Sequence, residues 1–296
     1  MEIPTGFMET RAHGFYIVTR PVYLKIALDV ASRDPETILA GAAQPGAMEG
    51  RGPRVELPGE GGESIILKKQ LRGGLYRKFR GDTYRSDYHA ILEVVVSERA
   101  WKKGVPVGQL AFAMAAPEGP GRLASYRRAY SAAIKVPGAL NMMERLSSTS
   151  SVPERRAVLT AAAEGIRRAH DRGMEHGDLN LGNILITKSG RGEHGALLID
   201  NGRSELGRVL LFRPRLRNLV RLYRSAQKWL PDPDPRRRSR EVVLFLRAYA
   251  NRERGEVRKY LEAAGRYRAS LFMHRLAWRT GRTRTLTPRS SAREGR

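Results

Sequence analysis

The sequence predicts an α+β chain in two lobes, the first rich in strands and the second mostly helical. Three observations lead there. The chain has 296 residues, 41% of them hydrophobic, enough for two lobes with cores of their own. Up to about residue 136, short apolar runs of strand length dominate, interrupted by a single helical stretch. After Pro137 the 3.6-residue period takes over, broken only by one pair of short apolar runs. The expected division is an N-terminal extension, partly strand, over 1–45, an N-lobe over 46–136, a C-lobe over 137–280 and a basic tail over 281–296.

Each element has its own signal. Residues 41–62 are dense in Gly and Pro and are expected to form turns and loops. ESIILKKQL, 63–71, is a strand with a β-branched start, and RGGLYRKFRGD after it is a turn-rich connection. From Ser86 to Trp101, Ala90, Ile91, Val94, Val95 and Trp101 mark one face of a helix, which Gly104 and Pro106 stop. Leu110–Ala115 and Ser131–Val136 are expected strands around the polar turn EGPGR. Ser151 and Glu154 have capping-box spacing ahead of a helix whose apolar face is Leu159, Ala162, Ala163, Ile166 and Ala169. Gly173 closes that helix. Ile184–Ile186 and Ala196–Ile199, joined through a turn at 188–192, form a hairpin. Two basic helices follow, 217–230 and 240–260, separated by PDPDP. The last sixteen residues have too little apolar content to fold.

Composition excludes some chemistry. With no cysteine there are no disulfides, no thiolate nucleophile and no Cys-ligated zinc. The N-terminal residues lack the order of a signal peptide, and no apolar run reaches membrane-spanning length, so a cytoplasmic protein is expected. The formal charge is +24, and from Glu205 onward 25 Lys or Arg face 8 Asp or Glu, about +17 in the last third. Such a field suits nucleic acid, an anionic membrane surface or a polyanionic substrate. The tail has no aromatic–basic nucleic-acid motif, so nucleic acid is the least favoured.

The densest chemistry lies in HGDLNLGNIL, 176–185, between a helix and a strand. The hairpin brings Asn183 and Asp200 to the same end of neighbouring strands, with Asp178 in the loop beside them. Two carboxylates and an amide oxygen are hard oxygen donors suited to Mg²⁺ on a polyphosphate. This is the equipment of phosphoryl transfer, with one Asp for the attacking hydroxyl and an Asp–Asn pair for the metal.

At this point the chain resembles the protein-kinase-like fold. HGDLNLGN has the catalytic-loop pattern H-x-D-x-x-x-x-N, and IDNG stands where kinases have D-F-G. The resemblance implies a strand lysine on the nucleotide phosphates, matched by Lys68 rather than Lys69, paired with Glu93 rather than Glu98. Gly50 and Gly52 stand one strand ahead as the remnant of a glycine-rich loop. Within that fold the chain is similar to the lipopolysaccharide kinase group, above all the kinases of 3-deoxy-D-manno-octulosonic acid (Kdo). The similarity runs from about residue 48 to 230 through LKKQLRGGL, KGVPV at 103–107, IKVPGA at 134–139, HGDLNLGNIL, IDNGR and RLRNLVRLYRS at 215–225. Asn201 and Gly202 depart from it where a Phe–Asp pair is the rule, and Gly177 replaces Ala or Arg.

The resemblance implies ATP and Mg²⁺ as cofactors, Asp178 as the base, and Asn183 and Asp200 as metal ligands. Asn180 and Arg203 are candidate contacts to acceptor or phosphate, and His176 is a structural residue of the loop. Only about a dozen residues separate Asp200 from the next helix, too few for a peptide-binding activation segment; Ala116-Pro117-Glu118 precedes the loop and cannot end one. The implied acceptor is an anionic glycolipid, the 4-hydroxyl of Kdo on a lipid A precursor, with the protein peripheral on the cytoplasmic face of the inner membrane. Alternatives are another core sugar such as heptose, a small molecule such as an aminoglycoside, or a basic, non-catalytic kinase-like binding protein. The sequence says nothing of oligomeric state.

Overall fold

The computed structural model describes residues 2–41, 53–71, 84–119, 126–190, 192–230 and 234–265. Gly50 and Gly52, the RGGLYRKFRGD connection, most of the EGPGR turn, the first residues of PDPDP and the 281–296 tail lie outside them, as does the side chain of Ala90.

The N-lobe is a six-stranded antiparallel sheet. Its strands are β1 (Met8–Ala12), β2 (Phe15–Thr19), β3 (Arg54–Pro58), β4 (Ser64–Lys69), β5 (Leu110–Pro117) and β6 (Arg127–Ile134), in the order β1-β2-β5-β6-β4-β3. Residues 2–41, expected to belong to an extension, are instead part of this lobe. They supply two strands to the sheet, and helices α1 (Leu24–Ser32) and α2 (Pro35–Gly41) cover its outer face. The expected loop over 41–62 also contains a strand. RVELP alternates apolar and polar residues and pairs residue for residue with β4, from Arg54–Lys68 to Pro58–Ser64. The strand expected at 131–136 begins four residues earlier and ends at Ile134, because its partner β5 runs through to Pro117.

Helix α3 (Asp87–Lys102) covers the inner face, packing Ile91, Val94 and Val95 on Val18, Leu110 and Ala113. Trp101, expected on that face, is half exposed; Val96 and Ala100 are buried instead. With helices on both sides, β5 is buried along almost its whole length, which is why LAFAMAA is uninterruptedly apolar.

The C-lobe is built on α4 (Met142–Ser148) and α5 (Val152–Asp171). The five expected apolar positions of α5 are all buried, and the helix closes at Gly173, whose φ is +80°. Ser151 accepts from the Glu154 amide, but the reciprocal half of the box is missing because the Glu154 carboxylate binds His194 Nε2 at 3.0 Å. A complete box occurs one helix earlier, between Asn141 and Glu144. The short strand β7 (Leu140–Asn141) joins the hairpin β9 (Ile184–Lys188) and β10 (His194–Leu198), while β8 (Met174–Glu175) pairs with β11 (Glu205–Leu206). Helices α6 (Phe212–Trp229) and α7 (Pro235–Tyr249) complete the lobe. The second basic helix, expected to run unbroken to Tyr260, ends at Tyr249. Asn251 and Arg252 have positive φ, and a further helical segment covers 254–265.

The lobes are stitched directly behind the open end of the hairpin. The Leu198 amide donates to the Pro106 carbonyl at 2.8 Å, and the Gly108 amide donates to the Leu198 carbonyl at 2.9 Å. The strand that ends at Asp200 is thus held against the chain leading from α3 into β5.

Candidate active site

Lys68 lies on the inner face of β4, opposite the outward Ile65 and Leu67, and points at α3. Its Nζ is 3.0 Å from Glu93 Oε1 and also contacts Asp200 Oδ1. Burial pushes the Lys68 ammonium toward neutrality, but the carboxylates of Glu93 and Asp200 outweigh this and hold it firmly charged. The other oxygen of the buried Glu93 carboxylate accepts from Ser131 Oγ at 2.9 Å. Ser131 is the register partner of Lys68 on β6, so one cross-strand pair supplies both contacts to the glutamate.

Glu98, the competing glutamate, is buried one turn on and binds Arg20 at 2.8 Å. Asp87 binds Arg127 of β6 at 2.6 Å. These two ion pairs fasten α3 near both ends and fix the height of Glu93 between them. Lys69 points the other way and binds Glu36 of α2, which also accepts from Tyr130 Oη at 2.7 Å.

The hairpin brings Asn183 and Asp200 together at its open end. Ile184 pairs with Leu198, and the Ile199 amide donates to the Asn183 carbonyl at 3.1 Å. Asn183 Nδ2 donates to the Asp178 carbonyl at 2.9 Å, which turns its side-chain oxygen away as a free acceptor. Asp200 sits at φ +64°, a left-handed conformation that Asp tolerates, and heads a short 3₁₀ turn over Asn201–Arg203. The charge of Lys68 holds its carboxyl below the usual carboxylate range.

Asn201, in the place of the usual Phe, is buried and donates to Ser97 Oγ of α3 at 3.1 Å and to the Leu198 carbonyl at 3.3 Å. Gly202 lies flat against the backbone of Glu93. At these two positions the chain thus makes a polar tie and a close approach to the helix that carries Glu93.

His176 is buried, and both ring nitrogens are engaged. Nε2 faces the Ile199 carbonyl at 2.9 Å and Nδ1 accepts from the Asp178 amide at 3.1 Å, which makes it a neutral ring with its proton on Nε2. Burial pushes its pKa down. It joins the loop to the strand ending at Asp200 and leaves the Asp178 carboxylate unencumbered except by Asn180 Nδ2 at 3.2 Å. Asn180 Oδ1 in turn caps the Gly182 amide at 2.8 Å. A Cβ at Gly177 would overlap the Arg203 carbonyl, so only glycine lets the two segments pass this closely. Arg203 is exposed, and its charge adds to that of Lys68 in lowering the Asp200 pKa.

Three residues of α6 support the loop from behind. Asn218, fully buried, accepts from the His176 amide and donates to its carbonyl, each at 3.0 Å. Arg221 donates to the carbonyl of Gly177, and Ser225 Oγ accepts from the Leu181 amide at 3.2 Å. None was singled out among the candidate site residues, nor was Ser131. All three α6 residues lie in the RLRNLVRLYRS motif that carries the resemblance, and Asn218 has a further signal, a polar residue inside the apolar stripe of Leu216, Leu219 and Leu222.

No cluster of three or more His, Asp or Glu suited to a metal exists among the described residues. One carboxylate and one amide oxygen fit Mg²⁺, which keeps few protein ligands and completes its shell with water and phosphate oxygens. The residues present fit that donor set, Asp200 offering the carboxylate and Asn183 the amide oxygen.

A family model described as lipopolysaccharide kinase (Kdo/WaaP) family matches residues 54–249. A 3-deoxy-D-manno-octulosonic acid kinase of Xanthomonas axonopodis pv. citri is 32% identical over 173 residues, 55% of this chain and 61% of that protein. One from Stenotrophomonas maltophilia is 32% identical over 219 residues, 70% of this chain and 79% of that protein. A solved structure described as WaaP in complex with acyl carrier protein aligns over 89% of this chain and 98% of its own at 18% identity, with a TM-score of 0.49.

Proposed function

The chain belongs to the lipopolysaccharide kinase (Kdo/WaaP) family, and on that premise we propose that it transfers the γ-phosphoryl group of ATP to a sugar hydroxyl of a lipopolysaccharide precursor. The observation that carries the reading is the meeting of Lys68, from the sheet, with Glu93, from α3, and Asp200, from the open end of the hairpin. Three distant segments converge there on one fixed ammonium, beside a loop that presents an exposed carboxylate held, among the described residues, only by Asn180.

Lys68, braced by Glu93 and Ser131, offsets charge on the nucleotide phosphates. Asp178 accepts the proton of the acceptor hydroxyl as its oxygen bonds to the γ-phosphorus and the bond to the β-phosphate oxygen breaks, releasing ADP. Asn183 and Asp200 would hold Mg²⁺, which supplies neutralisation of phosphate charge. Arg203, exposed next to Asp200, and Asn180, next to Asp178, are placed to touch phosphate or acceptor.

The acceptor we assign is the 4-hydroxyl of Kdo on a lipid A precursor, reached at the cytoplasmic face of the inner membrane. The relatives' activity and the short segment between Asp200 and α6 support a sugar rather than a peptide acceptor. Among the described residues no helix is long and apolar enough to cross a membrane. Transfer of label from ATP to Kdo-lipid A, run beside heptosylated core, an aminoglycoside and a generic protein, tests this. Label on heptosylated core or aminoglycoside alone moves the acceptor. No label on any, with no nucleotide-dependent thermal shift, makes the chain a non-catalytic binding protein.

A further inference from the structure

We propose that the segment 208–211 and the outer face of α6 together form a docking surface for an anionic lipid bilayer, with Val209 and Leu211 entering the boundary between headgroups and acyl chains. The proposal rests on the acceptor being a membrane glycolipid.

Two independent features meet there. Val209 and Leu211 are 71% and 70% exposed, in an irregular stretch between β11 and α6, flanked by Arg208 and Arg213. Large aliphatic side chains this free and this close together have no role in the core. Along α6, Arg213, Arg217, Arg221, Arg224 and Lys228 follow one another at four, four, three and four residues, all exposed. That spacing puts them on one face, a cationic stripe roughly 22 Å long. Glu175, the acid beside the stripe, is taken by Arg217 at 3.0 Å, so the rest of the row keeps its charge. At the far end the Lys228 ammonium stands 4.4 Å over the ring of Trp229, a pairing at home at a headgroup interface.

The stripe borders the candidate site. Arg221, at its middle, donates to the carbonyl of Gly177, the residue before Asp178. A bilayer lying along this face would therefore present headgroup-level hydroxyls to the catalytic loop. An acidic protein would match the arginines but leave two aliphatic side chains without an apolar partner. An anionic bilayer satisfies both, cations at the phosphates and Val209 and Leu211 just below.

The test is co-flotation of the full chain with vesicles of phosphatidylglycerol and phosphatidylethanolamine against vesicles of phosphatidylcholine, with neither Kdo lipid nor ATP present. The wild type is expected on the anionic vesicles, released by salt. Each basic residue at an anionic surface is worth about a five-fold change in partitioning, so R213Q/R224Q should bind about 25-fold more weakly. V209S/L211S should lose roughly ten-fold while keeping its melting temperature, since neither side chain supports the core. Wild-type binding by V209S/L211S, or no preference for anionic vesicles, overturns the proposal. Binding to a soluble acidic protein without any vesicle binding overturns it in favour of a protein partner. Failure of the wild type to phosphorylate a soluble, deacylated Kdo acceptor, with vesicle binding intact, would sink the catalytic reading and leave the surface standing.

Discussion

His170 links stability to pH in a way that can be worked through. It is 1% exposed at the end of α5, with Nδ1 2.7 Å from Tyr249 Oη and Nε2 3.2 Å from Asn218 Oδ1. Asn218 Oδ1 can only accept, so Nε2 carries the proton and Nδ1 accepts from the tyrosine. Burial, reinforced by the charge of Arg215, lowers its pKa from 6.5 to about 4. A buried histidine with a depressed pKa stays neutral while the unfolded chain takes up a proton. Its contribution is therefore intact above pH 6.5 and is lost as pH falls from there toward 4. At 1.36 kcal/mol per unit, roughly 2 kcal/mol is gone by pH 5 and roughly 3 kcal/mol by pH 4.

His176, displaced in the same direction, adds to the same window, whereas the depressed carboxylates Asp171 and Asp200 act only below their ordinary value of 3.8. Urea unfolding followed by circular dichroism at pH 7, 6 and 5 should show the midpoint falling steadily. His170→Gln keeps a neutral donor to Asn218, so it should be less stable at pH 7 and lose about 2 kcal/mol less between pH 7 and 5. A wild-type midpoint flat from pH 7 to 5, or an unchanged slope in His170→Gln, would refute the argument.

Four other outcomes follow from the site. Asp178→Asn should lower transfer by about 10²–10⁴ with nucleotide affinity unchanged, measured by label transfer and nucleotide titration, because its carboxylate touches neither Lys68 nor Asp200. Ser131→Ala should weaken nucleotide binding by roughly ten-fold and Glu93→Gln by more, since the first loosens the carboxylate that braces Lys68 and the second removes its charge. Asn218→Ala orphans two buried donors, the His176 amide and the Nε2–H of His170, while Arg221 still reaches the His176 carbonyl at 3.4 Å, so a loss of about 2–6 kcal/mol is expected in urea unfolding. Gly177→Ala forces the Arg203 backbone away and should cost about 1–3 kcal/mol, with transfer falling in proportion to the displaced loop; a wild-type midpoint would refute the close approach.

What could be read before the structure divides by the range of the contact. HGDLNLGNIL and IDNGR carry their geometry locally, since a hairpin of known register must bring Asn183 and Asp200 to one end. The apolar face of α5 and the fully buried β5 were legible because burial writes itself into composition. β3 was not, because five residues with only Val55 and Leu57 as apolar anchors, packed on the side of α1 and α2 and set among Gly and Pro, look like a loop until β4 offers a partner. The first 45 residues read as partly strand but not as part of the sheet, since β1 joins it only through β2, whose pairing with β5 spans about a hundred residues.

The supporting residues belong to the same class. Ser131 becomes visible only once β4 and β6 are aligned so that it faces Lys68, and Asn218 only once α6 is laid behind His176. Asn201 carries the point furthest. From sequence it was a polar residue in an apolar slot, and whether that breaks the site depends on what faces it. Ser97 faces it, one helical turn beyond Glu93, so the substitution couples Asp200 to the very helix that braces Lys68. Its side-chain oxygen is left buried without a partner, which makes the tie incomplete. Asn201→Leu removes both the tie and the orphaned oxygen while keeping the same number and branching of side-chain heavy atoms, so it should leave stability within about 1 kcal/mol of wild type while loosening Asp200. Weaker Mg²⁺-dependent nucleotide binding at unchanged melting temperature would mark Asn201 as a positioning residue; unchanged binding would mark it as packing alone.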